Sequence, residues 1–542
     1  MKKILWITGV LAGLISSCSD AVSIEGIDSL KISSGAEKVD EDEFTSGKYR
    51  LTGGDLRSSK MARNGQYSLA LNTKTPNGFG INLEGVEKGD AFVVSVWRNI
   101  GYGAGSIIIS GNDASGDLYE ENSTIIDREG NWGLIEMNFI AHKDFEKLII
   151  YIRNENKVKT YFDDFKISGY FKHSIPKMTD NALELEIDFM TMDSLRILRG
   201  KALKKGMITS KMKPYFSAKL NVNGKFVPIE IRFKGDWTDH LKTDKWSFRI
   251  KMGDDHAYKG LKTFSIQNPS TRSFMMEWFG HKLLEKEDVL TTRYTFIPVI
   301  INGEKKGVYA LEEHFDKQLL ESRNRREGPI VKFDENGVWK QHLAELNGGK
   351  AFHIPTLLAA EINPFKKNRT KKNPNLKMQF NVAQSHMHRL RNHDIDVDGY
   401  LDVDIVARYL ALTDILNAKH GLIWHNQRYY MNPVTSRLEP IAFDCFTSLD
   451  QMSKDVVTVG TGWTSKNSYN TTEALLSNPE VNELYLKYLK QFSNPNYLRN
   501  VFNDLNVDIN KMEQLLEHEY PFYKFDKEFF VSNCTQIRTS IP

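Results

Sequence analysis

The alternation of apolar and polar positions changes character along the chain. Between residues 46 and 172, short runs of β-branched and aromatic residues dominate: Gln66 to Asn72 (QYSLALN), Ala91 to Asn99 (AFVVSVWRN), Gly105 to Ser110 (GSIIIS) and Lys147 to Asn154 (KLIIYIRN). Each is bounded by Gly, Asn or Asp, and turn signals recur at Asn77-Gly78, Lys88-Gly89-Asp90 and Glu129-Gly130-Asn131. Many short strands with no helical period predict an all-β unit, an antiparallel sandwich.

From 173 to 542 helical and strand patterns mix. Val403 to Ala418 (VDIVARYLALTDILNA) places apolar residues at helical spacing behind an available N-cap, Asp402. Phe274 to Glu287 is another amphipathic helix, and Arg293 to Asp316 reads as two strands around Asn302-Gly303, the strongest short hairpin signal. Residues 425 to 446 (HNQRYYMNPVTSRLEPIAFDCF) read as a further hairpin with Pro433 in its turn. Antiparallel pairing there sets Asn426 and Asp444 at the same open end. This second unit is therefore α+β, with a helical C-terminal extension and neither a GxGxxG nor a P-loop.

The first 45 residues follow neither pattern. Lys2 and Lys3 precede an apolar stretch from Ile4 to Ile15, and small residues then lead to Cys18. A charged start with an apolar run too short to span a bilayer marks a secretory signal peptide, expected over 1–17. Residues 18–45 are small, polar and acidic, the composition of a flexible tether. Beyond Cys18 the exported chain keeps only Cys445 and Cys534, too few for a disulfide framework. No later segment has 18 consecutive apolar residues, so no other membrane span is expected.

Composition narrows the partners. A formal charge of +3 on 542 residues is close to neutral, so nothing demands a nucleic-acid partner. The densest basic run, Phe365 to Lys372 (FKKNRTKK), is expected to be a solvated loop, with an anion-binding patch as the alternative. Asp163 and Asp164 offer hard oxygen donors to a structural Ca2+, or else accept turn hydrogen bonds. Asp394 to Asp404 (DIDVDGYLDVD) mimics a calcium loop but has Ile405 where the bidentate Glu belongs, and reads as an acidic turn capping the next helix. Trp97 and Trp132 could stack on sugars or fill the sandwich core.

Three resemblances extend these readings. Ile15-Ser16-Ser17-Cys18 resembles the bacterial lipoprotein box, which implies a lipidated Cys18 and attachment to the bacterial cell envelope, at the outer membrane or cell surface. The order GQYSLAL, FVVSVWRN, GNWGLIEMNF, YFDDFKISG resembles jelly-roll carbohydrate-binding and galactose-binding-like modules, implying a carbohydrate ligand for 46–172. Finally, IRFKGDWTDHLKTDKWSFRIKM (Ile231 to Met252), NPSTRSFMMEWFGHKLL, RYTFIPVIINGEKKGVYALEEHFD, YLALTDILNAKHG and the 425–446 hairpin together resemble the spore-coat-H (CotH) kinases, atypical relatives of protein kinases.

Phosphoryl transfer needs cations on the nucleotide phosphates, oxygen ligands for a divalent metal and a group that orients the acceptor. On the resemblance, Asn426 and Asp444 would hold Mg2+ or Mn2+ for ATP. Lys245 would hold phosphate, with Glu313 as its ion-pair partner and Arg232 and Arg249 as further nucleotide-binding candidates. Where relatives carry an acid before the His-Asn pair, this chain reads NAKHGLIWHN (Asn417 to Asn426). His420 would then serve as base, or Asp414 would reach it, or phosphotransfer is lost and nucleotide binding survives. The expected function is an exported, lipid-anchored protein kinase acting on protein hydroxyls or a glycan-associated substrate at the envelope. The alternative is a surface glycan-binding lipoprotein with an inactive kinase-like scaffold.

Overall fold

The computed structural model describes residues 21–24, 29–113, 116–171, 181–253, 255–349, 356–446, 458 and 471–541. The expected signal peptide and the lipidation site Cys18 lie outside the described residues. The chain divides into two compact units, with the change at Lys177–Met178. Among the described residues, no helix is long and apolar enough to cross a membrane.

In the first unit two sheets face each other as a jelly-roll sandwich. One has Ser106–Asp113, Phe145–Arg153 and Asn77–Val86 side by side; the other has Trp132–Ile140, Ala91–Asn99 and Thr160–Tyr170. The period-two alternation decides the faces. Along Ala91–Asn99, Phe92, Val94 and Val96 are fully buried, while Val93, Ser95 and Trp97 between them are partly exposed. Phe79 stacks on Phe165 of the facing sheet with centroids 5.2 Å apart, and Phe44 of its own sheet lies 4.8 Å from Phe79.

Most of the stretch expected to be a tether is built into this sandwich. Ser29–Ser34 pairs with Thr160–Tyr170, and Glu43–Ser46 joins the opposite sheet through Tyr49–Thr52. Leu30, Ile32 and Phe44 are each at most 2% exposed. The polar composition misled because a strand buries only alternate positions: Leu30 and Ile32 face inward, while Lys31 and Ser33 are exposed.

Asp163 and Asp164, read as calcium ligands or else as acceptors of turn hydrogen bonds, anchor a loop by such bonds. Fully buried Asp163 accepts the backbone N–H groups of Arg63 at 2.7 Å, Asn64 at 3.2 Å and Asp164 at 2.7 Å. Asp164 accepts the Arg63 guanidinium at 2.6 Å and the Asn64 amide at 2.7 Å. N–H donors thus occupy both Asp163 oxygens and Oδ2 of Asp164. The same guanidinium lies 3.9 Å over the Trp97 ring, and Trp132 packs with Ala70 and Tyr161. Burial pushes the Asp163 carboxyl up to about 6, against the lowering effect of its N–H donors.

In the second unit seven strands close a barrel, in the order Leu183–Glu186, Phe216–Val222, Lys225–Phe233, Phe248–Met252, Thr263–Gln267, Glu304–Glu313 and Tyr294–Ile301. Leu185, Leu220, Ile231, Ile250, Phe264 and Leu311 contribute to its core. The Asn302-Gly303 turn has positive φ at both residues, as a tight hairpin turn requires. The Asn302 side chain then exchanges two hydrogen bonds with the Ile187 backbone, at 2.7 and 2.8 Å, beside the strand that closes the barrel.

A five-stranded sheet follows, ordered Leu290–Thr291, Arg437–Ala442, Arg428–Asn432, Ile330–Phe333 and Ile362–Pro364. The buried helix Val403–Ile415 packs against it, capped by Asp402, which accepts from Ile405 N at 3.1 Å. The basic run expected to be a loop forms the short helix Lys367–Lys372. Lys366, just before it, pairs with Asp316, and Arg369, within it, pairs with Glu327. Asp394 and Asp396 both hold Arg389 at 2.7 Å, which ties that acidic turn to the preceding helix.

Two outcomes test the sandwich. Leu30→Ala removes a fully buried side chain and is expected to cost about 2–5 kcal/mol in urea unfolding of the first unit, where a tether residue would cost nothing. Asp163 binds its proton more tightly folded than unfolded, so its contribution to stability is complete below about 4 and declines as pH rises through about 6. Asp163→Asn is expected to flatten that slope when unfolding midpoints are compared across the range.

Candidate functional site

A cavity of about 960 Å³ opens in the second unit. Barrel residues Arg232, Lys234 and Arg249 line one side of it; His420, Arg428 and Asp444 line another.

The barrel side is cationic by construction. Arg232 and Arg249 are direct cross-strand partners on Lys225–Phe233 and Phe248–Met252, an arrangement that repels unless an anion lies between. Arg249 donates to Ser265 Oγ at 2.7 Å; burial, reinforced by Arg232, lowers it to about 10. Lys234, just past the end of Lys225–Phe233, is buried, ion-paired with Glu312, and donates to Gln267 Oε1 at 2.6 Å. Burial lowers its ammonium, and Glu312 works in the opposite direction.

Gly235 then turns the chain at φ +86, where an added Cβ would stand 1.9 Å from the His240 ring. His240 is held by Ser247 Oγ at 2.9 Å, and Lys234 N donates to Ser247 O at 2.9 Å. The loop is thereby folded back onto the two strands it connects.

On the opposite side the expected hairpin forms, with Arg428 paired to Ile441 and Asn432 to Arg437. This register leaves Asn426 and Asp444 at one open end, and both touch His420. Asp444 Oδ2 lies 3.5 Å from His420 Nδ1, and Asn426 Nδ2 donates to the His420 carbonyl at 3.0 Å. Asp444 also accepts from Arg272 Nε at 2.9 Å, supplied by the turn Pro269–Arg272 before the helix Met275–Lys286. Burial pushes the Asp444 carboxyl up, but Arg272 first, then His420, Lys234 and Arg428, bring it down to about 2. Its φ of 53° is a left-handed conformation rare for a non-glycine residue.

Several expectations need correction. Lys245 and Glu313 are not brought together. Lys245 precedes the strand Phe248–Met252, pairs with Glu519 and donates to Val308 O at 2.7 Å, away from the cavity. Glu313 binds Arg293 at 2.6 Å. The buried pair in the cavity region is Lys234–Glu312, one strand position from the expected acid, because successive strand residues face opposite sides. Its sequence signal was present: a lysine at a strand end, in front of a glycine, in IRFKGD.

Asp414 is fully buried, accepts from Tyr485 Oη at 2.6 Å, lies 3.7 Å from Lys419 Nζ, and does not line the cavity. It therefore does not reach the base position. His420 does line the cavity, with 43% of its side chain exposed. Arg232 and Arg249 line it too. Arg272, missed in the sequence, lay in the quoted NPSTR segment without a chemical role.

Among the described residues, no group of three or more His, Cys, Asp and Glu is placed to hold a metal ion. The donors available at the hairpin end are the Asp444 carboxylate and the Asn426 amide oxygen. That set fits Mg2+ or Mn2+ where phosphate oxygens and waters complete the shell.

No curated protein matches the chain. Among solved structures, it is similar to the C-terminal family 22 carbohydrate-binding module of Clostridium thermocellum Xyn10B, at 14% identity, covering 27% of this chain and 95% of that one, with a TM-score of 0.20. It is also similar to the CBM22-2 xylan-binding domain of Paenibacillus barcinonensis Xyn10C, at 17% identity, covering 26% and 97% of the two chains, with a TM-score of 0.19. The family model described as CotH kinase protein matches residues 231–541, which takes in the barrel strands from Ile231 onward, the cavity and the C-terminal helices. With more than half of its length under that match, the chain belongs to the CotH kinase protein family.

Proposed function

We propose that this protein is an exported, lipid-anchored kinase that transfers the γ-phosphoryl group of ATP to protein hydroxyls. The observation that carries the reading is the convergence of Lys234–Glu312, Arg232, Arg249 and the Asn426/Asp444 hairpin end around one cavity. Family membership supports it.

In this reading Lys234, Arg232 and Arg249 hold the phosphate chain, and Glu312 keeps the lysine ammonium charged and aimed. A divalent cation on Asn426 and Asp444 would supply charge neutralisation for the phosphates. Arg272 fixes the Asp444 carboxylate by its bond at 2.9 Å. The acceptor oxygen attacks the γ-phosphorus, the bond to ADP breaks, and the hydroxyl proton passes to the His420 imidazole. His420 takes this role because Asp414 is buried against Tyr485.

Lipid attachment at Cys18 and residence at the bacterial envelope rest on the N-terminal sequence motif. For the first unit we infer a glycan ligand. Tyr102, 43% exposed and edge-on to Tyr161 at 5.9 Å, favours this, because a solvent-facing ring on a sandwich can stack against a sugar.

The test is full-length protein with radiolabelled ATP and Mg2+ or Mn2+. Label is expected on protein acceptors. Asp444→Ala and Lys234→Met should abolish transfer, and His420→Ala should slow it by about 10²–10⁴-fold. Lys245→Met should lower the melting temperature, by stranding Glu519, while ATP binding persists. Absence of both nucleotide binding and label in the wild type would leave a glycan-binding protein with an inactive scaffold.

A further inference from the structure

The cavity wall carries a cluster of rings that the phosphate chemistry does not use. Trp237, two residues after Gly235, lies edge-on to Trp339 of the helix Asn336–Leu346, with centroids 5.8 Å apart. His342 of the same helix sits 5.3 Å from Trp237. His425, the neighbour of Asn426, closes on Trp339 at 6.2 Å. All four line the cavity, none belongs to the barrel core, and Trp237 is 43% exposed.

Three separate segments thus converge to present indole and imidazole surface. Packing alone does not call for this, because an indole buries most of its area when it serves a core. The cavity therefore has two chemistries. One part is cationic, at Lys234, Arg232 and Arg249; another is aromatic, at Trp237 and Trp339. A ligand matched to both carries polyanionic charge at one end and a flat π-system at the other. A nucleoside polyphosphate has that form. The cavity, at about 960 Å³, is at the upper end of the range that accommodates ligands of this size.

We propose that Trp237 and Trp339 form the nucleobase platform of this site, orienting the nucleotide with its phosphates toward Lys234. The inference rests on the nucleotide reading above and adds a selectivity. Stacking uses the face of the base, which every base possesses, so the platform accepts guanine about as well as adenine.

The test is calorimetric titration of full-length protein with ATP, GTP and inorganic tripolyphosphate. Trp237→Ala and Trp339→Ala are each expected to weaken ATP and GTP about tenfold or more, the scale of one lost base stack. Tripolyphosphate affinity should be unchanged, and Trp237→Phe or Trp339→Phe should recover most of the loss. If the alanine variants bind ATP like the wild type, the platform is wrong and the nucleotide reading stands. Equal losses for ATP and tripolyphosphate would make the cluster a structural support and overturn the proposal. Strong rejection of GTP by the wild type would place base recognition elsewhere. Wild-type protein that binds none of the three overturns the nucleotide reading and the platform with it.

Discussion

The buried ion pair of Lys234 with Glu312 is the constraint on which the site depends. Moving an ammonium and a carboxylate out of water costs several kcal/mol each, and only close pairing with further hydrogen bonds offsets it. Lys234 stands beyond one strand end and Glu312 near the end of another, with Phe248–Met252 and Thr263–Gln267 between them in the barrel. The pair therefore requires those strands in their observed register, and Gln267, on the intervening strand, accepts a further hydrogen bond from the lysine. A shift by one residue that brought Leu311 to the position of Glu312 would leave the lysine buried without its acid.

Much of this architecture was legible in the sequence, and the failures share a cause. Hairpins and helices with strong local signals, such as Asn302-Gly303 and the Asp402-capped helix, form where pattern alone places them. The 425–446 hairpin likewise sets Asn426 and Asp444 together, because its register follows from its turn. What pattern could not decide was which of several similar charges faces inward. Lys234, Lys245, Arg249 and Lys251 lie within one short stretch, as do Glu312 and Glu313. Choosing among them needs the barrel's closure, which depends on residues far away in sequence. The N-terminal strands were hidden differently: an edge strand alternating Leu30, Ile32 with Lys31, Ser33 has the composition of a linker.

The placement of Asp414 clarifies the altered loop before the hairpin. With Tyr485 on one oxygen and Lys419 near the other, its charge is balanced inside the fold. Lys419 is itself half-buried, and burial lowers its ammonium while Asp414 raises it. The adjacent His420 is left at the cavity, between Asn426 and Asp444. The Lys-His dipeptide thus divides in two directions: Lys419 anchors the loop to the helix, and His420 faces the cavity.

Gly235 couples the two chemistries of the cavity. Its φ of +86 and the 1.9 Å approach of His240 to any Cβ leave room for glycine alone. The reversal it permits keeps Lys234 beside Glu312 and carries Trp237 out to meet Trp339 within three residues. A larger residue at 235 would push His240 from Ser247 and change the path of the loop. The Lys234 ammonium and the aromatic surface would then no longer share one wall. Their separation is set by that single backbone conformation.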